Sequence, residues 1–291
     1  TMIIRSSSAM PPSARGVDLN TLPAPSGTGR VRCHCPLKRV MTTTEDLDGE
    51  IALVTGATSG IGRAIAVDLA AAGAAVAVSG RRTERLETLV GDIEDNGGTA
   101  LPVTADLADT GQVREMVETT REELGGLDIL VNNAGVMLLA PVVRAELADL
   151  QQMLKVNLEG LMAATRLALP EMLEQDHGHI VNISSVAGRR VNETSAGYSA
   201  TKFGVNAFSE GLRKETADSS VRVTVVEPGA VDTELGEHIP DENVRERMAE
   251  MVQEMTILDP EDIAAGVHYA VTQPEHVSVN ELLIRPTEQQ S

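Results

Sequence analysis

Lysine, the aromatic residues and cysteine are all scarce in this chain of 291 residues, which holds four lysines, two tyrosines, two phenylalanines, two cysteines and no tryptophan. The thiols are Cys33 and Cys35, with His34 between them. Three such ligands in immediate succession lack the spacing of a usual zinc site, and no other cysteine exists to complete one, so no metal is expected. No segment reaches the roughly 18 consecutive apolar residues of a membrane helix. Positive charge is short as well, with 24 basic residues against 43 acidic ones and a formal charge of −19. Residues 1–40 contain six basic side chains and one acid, which leaves the remainder of the chain at −24. A surface of that sign repels nucleic acid. The preference for Arg, Asp and Glu over Lys resembles proteins of a salt-rich cytoplasm, where screening removes self-repulsion. An ordinary acidic protein is the plainer alternative.

Residues 1–40 are rich in Ser, Pro, Gly and Arg and lack any hydrophobic period, so they are expected to lie outside the fold as a disordered leader, extension or tag, which fits better than a transit peptide. Met41-Thr-Thr-Thr-Glu-Asp-Leu47 starts like a natural N-terminus, and residues 41–291 are expected to form a single domain. Strand-like runs at 51–55, 74–79, 99–104, 128–131, 179–184, 221–226 and 280–284 alternate with helical stretches. That alternation predicts an α/β fold with a parallel sheet covered on both faces.

Against this background Tyr198-Ser-Ala-Thr-Lys202 stands out, because it spends one of two tyrosines and one of four lysines four residues apart. Such residues share a helix face, and the Lys202 charge is expected to bias the Tyr198 hydroxyl toward phenolate, making it an acid or base. Alone, the pattern also describes an ordinary helix with a solvated lysine. A second motif lies upstream: the strand Ile51–Thr55 runs into Gly56-Ala-Thr58-Ser59-Gly60-Ile61-Gly62 and then into an apolar-periodic helix. Glycines let backbone approach a pyrophosphate, and a helix N-terminus supplies free N–H donors and a favourable dipole.

Thr55-Gly56-x-x-x-Gly60-x-Gly62 followed by Tyr198-x-x-x-Lys202 resembles the short-chain dehydrogenase/reductase family, and the resemblance runs over about 235 residues from Ile51 to Pro286. Asn132-Asn133-Ala134-Gly135 is similar to the family segment whose backbone lines the cofactor, and Asp106-Leu107 to the pair at the adenine ring. Asn157 matches the helix asparagine that holds a water beside the catalytic lysine. Ser185, thirteen residues before Tyr198, matches the catalytic serine. Pro228-Gly229, with Val231 and Thr233, resembles the turn facing the nicotinamide. The resemblance implies a Rossmann-type doubly wound seven-stranded sheet of order 3-2-1-4-5-6-7. It also implies a cytoplasmic homotetramer or dimer built on long helices near 150–175 and 196–217. Tyr198, Phe203 and Phe208 all fall in the second of these, as suits a helix with a catalytic and an interface face; core packing accounts for the two Phe equally well.

The chemistry needs these residue types. Reducing a carbonyl takes a hydride, which a nicotinamide carries, and a proton for the developing alkoxide. Tyr198 would give the proton, Ser185 would hydrogen-bond the same oxygen, and Lys202 would tune the phenol and, by the resemblance, touch the nicotinamide ribose. At the end of the second strand Gly80 stands where an NAD enzyme carries an acid, and Arg81 and Arg82 follow, suited to a 2′-phosphate. The expected cofactor is therefore NADP(H), with a mixed preference left open by Ser59, where some NADP members carry a base.

The substrate is expected to be a small carbonyl or alcohol. The acidic, Met-rich segment 232–258 resembles the family's mobile lid. The run Lys202–Glu210, Val191-Asn192 and Leu283–Thr287 are most similar to the branch holding clavulanate dehydrogenase and hydroxy-acid dehydrogenases of the serine and allo-threonine type. Arg189 and Arg190 are candidates for a substrate carboxylate, although loop solvation suits at least one. His177 and His179 are expected to be polar loop residues. A 3-oxoacyl carrier-protein reductase would share the catalysis but would favour a basic docking patch for its acidic carrier. A non-catalytic dinucleotide sensor has no need of Asn157, Ser185, Tyr198 and Lys202 together.

Overall fold

A computed structural model of the protein describes residues 47–253 and 255–289. Cys33, Cys35 and the boundary expected at residue 40 lie outside the described residues. Seven parallel strands form one sheet in the order β3-β2-β1-β4-β5-β6-β7, as expected. They are β1 (Ile51–Thr55), β2 (Ala75–Gly80), β3 (Thr99–Thr104), β4 (Ile129–Asn132), β5 (Gly178–Ile183), β6 (Val221–Pro228) and β7 (Glu281–Ile284). Helices α1 (Gly60–Ala71), α2 (Thr83–Asp95), α3 (Thr110–Leu124), α4 (Leu147–Leu154), α5 (Leu161–Glu174), α6 (Ala196–Glu215), α7 (Glu242–Gln253) and α8 (Pro260–Val271) alternate with them.

The strands read as continuous apolar runs because both faces are covered. Successive side chains point to opposite faces, so Ala52 and Val54 of β1 join a core with Ile65, Leu69 and Val267, whereas Leu53 between them joins a second core with Met116, Ala168 and Met172. The same parity sends Val76, Val78, Ile129 and Val131 one way and Ala77 and Leu130 the other. Order reverses between β1 and β4, and in such sheets the crevice beyond the strand ends at that reversal is where ligands bind.

One expected element differs. The long helix near 150–175 is not one α-helix: α4 and α5 are joined by a π-helical segment, Lys155–Gly160. Its extra residue places Gly160 against Leu107, where a Cβ would stand 2.5 Å from the Leu107 carbonyl oxygen. Such wide turns recur at functional sites, and this one carries Asn157. Between β6 and α8, a 3₁₀ turn (Glu234–His238) and α7 make up the segment expected to be the lid. Its two ends meet in a single parallel bridge, Val231 with Leu258, flanked by Asp232 N–H to the Leu258 carbonyl at 2.9 Å and Leu258 N–H to the Ala230 carbonyl at 3.0 Å. Arg144 pins the start of α7 through Asp241 at 2.6 Å.

Candidate active site

Beyond the C-terminal ends of the strands lies a cavity of about 920 Å³. Its phosphate-sized end is built by β1 and β4 acting together. Thr55, fully buried at the end of β1, donates to the Val131 carbonyl at 3.2 Å and accepts from the N–H groups of Asn133 and Ala134 at 3.0 and 3.1 Å. Asn133 returns a bond to the Thr55 carbonyl at 2.8 Å. The glycine loop is thereby held against the Asn133–Gly135 turn so closely that a Cβ on Gly56 would stand 2.8 Å from the Ala134 Cα. Gly56 and Gly60 adopt φ of +68° and +53°, in the left-handed region that favours glycine. No side chain caps the first turn of α1 and no acid lies in it, so its N–H groups face the cavity beside Thr58, Ser59 and Ile61. A narrow glycine cradle, an uncapped helix N-terminus and adjacent arginines suit the phosphates of a dinucleotide.

Arg81 and Arg82 line the same end. Arg82 is held by Thr58 Oγ1 at 2.7 Å and Ser59 Oγ at 2.9 Å, and it pairs with Glu234 at 2.8 Å. Gly80 admits the Thr58 methyl, which a Cβ would meet at 2.6 Å. Asp106 and Leu107 form the adjoining wall, the Asp106 carboxylate accepting from Ala108 N–H at 3.0 Å. Pro228, Gly229 and Val231 form the wall opposite, at the end of β6. The Thr233 methyl packs on Gly60, 2.9 Å from where a Cβ would stand.

At the deep end, Ser185, Tyr198 and Lys202 come together in the cavity wall. Ser185 follows β5 and accepts from Ala187 N–H at 3.1 Å. Tyr198 and Lys202 face inward from α6, 7% and 4% exposed. The lysine Nζ donates to the Ile183 carbonyl at 2.8 Å. Burial pushes the Tyr198 phenol up to about 12, with a hydrogen bond from Ser185 pulling against it, and burial pushes Lys202 down to about 8. The expectation that Lys202 lowers the tyrosine is thus not met in the chain by itself: burial raises the phenol and only the Ser185 hydrogen bond pulls it down, while the Lys202 ammonium is engaged by the Ile183 carbonyl. Asn157 lies outside the cavity wall. Its amide accepts from Val136 N–H at 2.8 Å and donates to the Val136 carbonyl at 2.9 Å and Thr201 Oγ1 at 3.1 Å, tying the β4 loop to α6.

Other expectations are corrected. Arg189 does not reach a substrate position: it pairs with Glu227, which is fully buried in β6, and with Glu281, and neither it nor Arg190 lines the cavity. His179 is no loop residue but sits inside β5, 1% exposed, with Nε2 2.7 Å from Thr224 Oγ1. Burial holds its pKa near 3, so it is neutral. His177 lies 3.0 Å from Glu50, and these two with Asp128 bring potential ligand atoms within 4.8 Å of one another. The Asp128 oxygens already accept from Ile51 N–H at 2.9 Å and Gln175 at 3.1 Å. Phe203 is 43% exposed while Phe208 is partly buried against the core. Sequence reasoning missed Glu234 and the strap made by Thr55, and no local pattern marks either.

A family model described as short chain dehydrogenase matches residues 50–244. An uncharacterized oxidoreductase of Staphylococcus aureus strain MW2 is 39% identical over 241 residues, covering 82% of this chain and 98% of its own length. Among solved structures, the closed form of a serine dehydrogenase complexed with NADP+ matches with a TM-score of 0.77 at 37% identity, over 83% of this chain and 96% of the other. An alcohol dehydrogenase from the archaeon Thermococcus sibiricus, complexed with 5-hydroxy-NADP, matches with a TM-score of 0.75 at 28% identity, over 83% and 98%. With its sheet order, its glycine cradle and these matches, the chain belongs to the short-chain dehydrogenase/reductase family of oxidoreductases.

Proposed function

We propose that the protein is an NADP(H)-dependent oxidoreductase that interconverts a small carbonyl compound and its alcohol, with Tyr198 as the proton donor and acceptor. The observation that carries this reading is the convergence of Ser185, Tyr198 and Lys202 in the wall of the cavity that also takes in the glycine cradle and Arg82. When bound, the nicotinamide supplies or accepts the hydride. Tyr198 holds the transferable proton at Oη, and Ser185 fixes the reacting oxygen beside it and donates to the phenol. Lys202 supplies a positive charge below a pH of about 8 and a donor for refilling the proton. Asn157 positions α6 through Thr201. Gly56, Gly60, Gly62, Asn133–Gly135, Asp106, Leu107, Pro228, Gly229, Val231 and Thr233 shape the dinucleotide cleft, and Arg81 and Arg82 favour a 2′-phosphate.

The NADP complexes among the neighbours support the coenzyme, and the serine dehydrogenase supports a small hydroxy acid or its carbonyl partner. We assign a homotetramer or dimer on α5 and α6, where Phe203 is exposed. The test follows NADPH oxidation by the purified protein against small aldehydes, β-keto acids and acyl thioesters. Turnover of a small aldehyde or keto acid that vanishes in Tyr198→Phe supports the reading. Turnover confined to acyl thioesters reassigns the substrate class.

A further inference from the structure

Glu234 lies where the lid begins, beside Thr233, and its two oxygens are held by different arginines. Oε2 accepts from Arg82 Nη1 at 2.8 Å and Oε1 from Arg85 Nη1 at 2.7 Å. Arg82 is fixed on its other edge by Thr58 and Ser59, so its guanidinium plane is set and Glu234 is the acid salt-bridged to it among the described residues. The three side chains are 35 to 49% exposed, and Arg82 and Glu234 line the cavity, so the cluster is exchangeable and not a buried lock. Hydrogen bonds from Arg82 first and then Arg85 draw the Glu234 pKa down to about 2, which keeps it ionised throughout the neutral range.

An anion already seated on Arg82 matters to any second one. A phosphate monoester carries a charge of roughly −2 at neutral pH. Approaching Arg82, it meets an engaged Nη1 and a carboxylate of like sign. A free ribose hydroxyl meets no such repulsion. We propose that Glu234 sets coenzyme choice in this protein: it competes with the 2′-phosphate for Arg82, holding down affinity for the phosphorylated dinucleotide while leaving the unphosphorylated one nearly unaffected. The inference rests on the reading above that Arg82 faces the 2′ position.

The test is calorimetric binding of 2′,5′-ADP and 5′-ADP, at one fixed salt concentration, to the wild type, Glu234→Gln, Glu234→Ala and Arg82→Ala. Removing the charge in either Glu234 variant is expected to tighten 2′,5′-ADP about tenfold, the equivalent of 1.4 kcal/mol, and to move 5′-ADP by less than about twofold. No change, weaker binding, or an equal gain for both ligands overturns the inference. Arg82→Ala separates the two readings. If it leaves the ratio of the two affinities unchanged, the coenzyme reading itself fails. If it collapses the ratio while both Glu234 variants leave it alone, only the role of Glu234 fails.

Discussion

The Nζ of Lys202 stands 5.7 Å from the centre of the Tyr198 ring and donates at 2.8 Å to the main-chain carbonyl of Ile183, the last residue of β5. The first half of α6 is thus stitched to the strand that delivers Ser185. The lysine serves as a structural pin as well as a charge, and its two duties are separable by experiment.

Replacing Tyr198 with Phe keeps the ring packing and removes the phenolic proton that the proposed reaction transfers. Turnover should fall by about 10²-fold or more, on the magnitude of general acid catalysis, with the dinucleotide dissociation constant unchanged. A variant retaining a tenth of the wild-type kcat places the acid elsewhere.

The lysine also makes stability depend on pH. Its folded pKa of about 8 lies below the ordinary lysine value of 10.5, so between those values the unfolded chain binds the extra proton and stability rises with pH. The slope can reach about 1.4 kcal/mol per pH unit. Tyr198 acts in the opposite sense above the ordinary tyrosine value of 10.0, where stability falls toward a pH of about 12. Urea titrations at several values between pH 8 and 10 should show the wild type gaining on Lys202→Met; parallel curves would contradict the buried charge.

Changing Arg81 and Arg82 together to Ala should weaken NADPH more than about tenfold, since a hydrogen bond to a charged group contributes about 1.5–3 kcal/mol. NADH should be nearly untouched. Equal losses for the two would assign the arginines to folding or to the shared phosphates.

Thr55→Val keeps the shape of a fully buried side chain but takes the acceptor from Ala134 N–H. Stability should drop by about 1–3 kcal/mol, the range for an orphaned donor, and dinucleotide affinity should fall with it as the two loops part. A stable variant that binds normally would show the strap to be dispensable.

The acidic excess predicts a salt response. Charges on the surface interact over a Debye length of about 10 Å at 0.1 M salt, so the melting temperature should climb as salt is raised from dilute buffer to the molar range. A flat response would remove the salt-adapted reading.

What could be read without coordinates was local. The strand, glycine turn and helix at 51–71 and the Tyr198–Lys202 spacing each lie within one or two turns of chain, where periodicity and steric demands act on neighbours. What escaped depends on contacts between distant residues. Glu234 is 152 positions from Arg82, and Glu227 is 38 from the Arg189 it captures. His179 looked like loop because Gly178 precedes it, yet the strand begins at that glycine and carries the imidazole inward against Thr224. The π-helical turn holding Asn157 needs one residue more than an α-turn, and that surplus is resolved only by the fit of Gly160 on Leu107.

The bridge between Val231 and Leu258 brings the two ends of the lid side by side. A segment whose ends already touch is a cassette: its length and sequence can be exchanged without re-threading the sheet, because closing a longer loop costs only about 0.6 kcal/mol per doubling. Residues 235–257 can therefore be exchanged while β6 and Tyr198 stay as they are and Thr233 and Glu234 keep their contacts with Gly60 and Arg82. Grafting that cassette from a relative, cut at Val231 and Leu258, is therefore an exchange the sheet can accept without rearrangement.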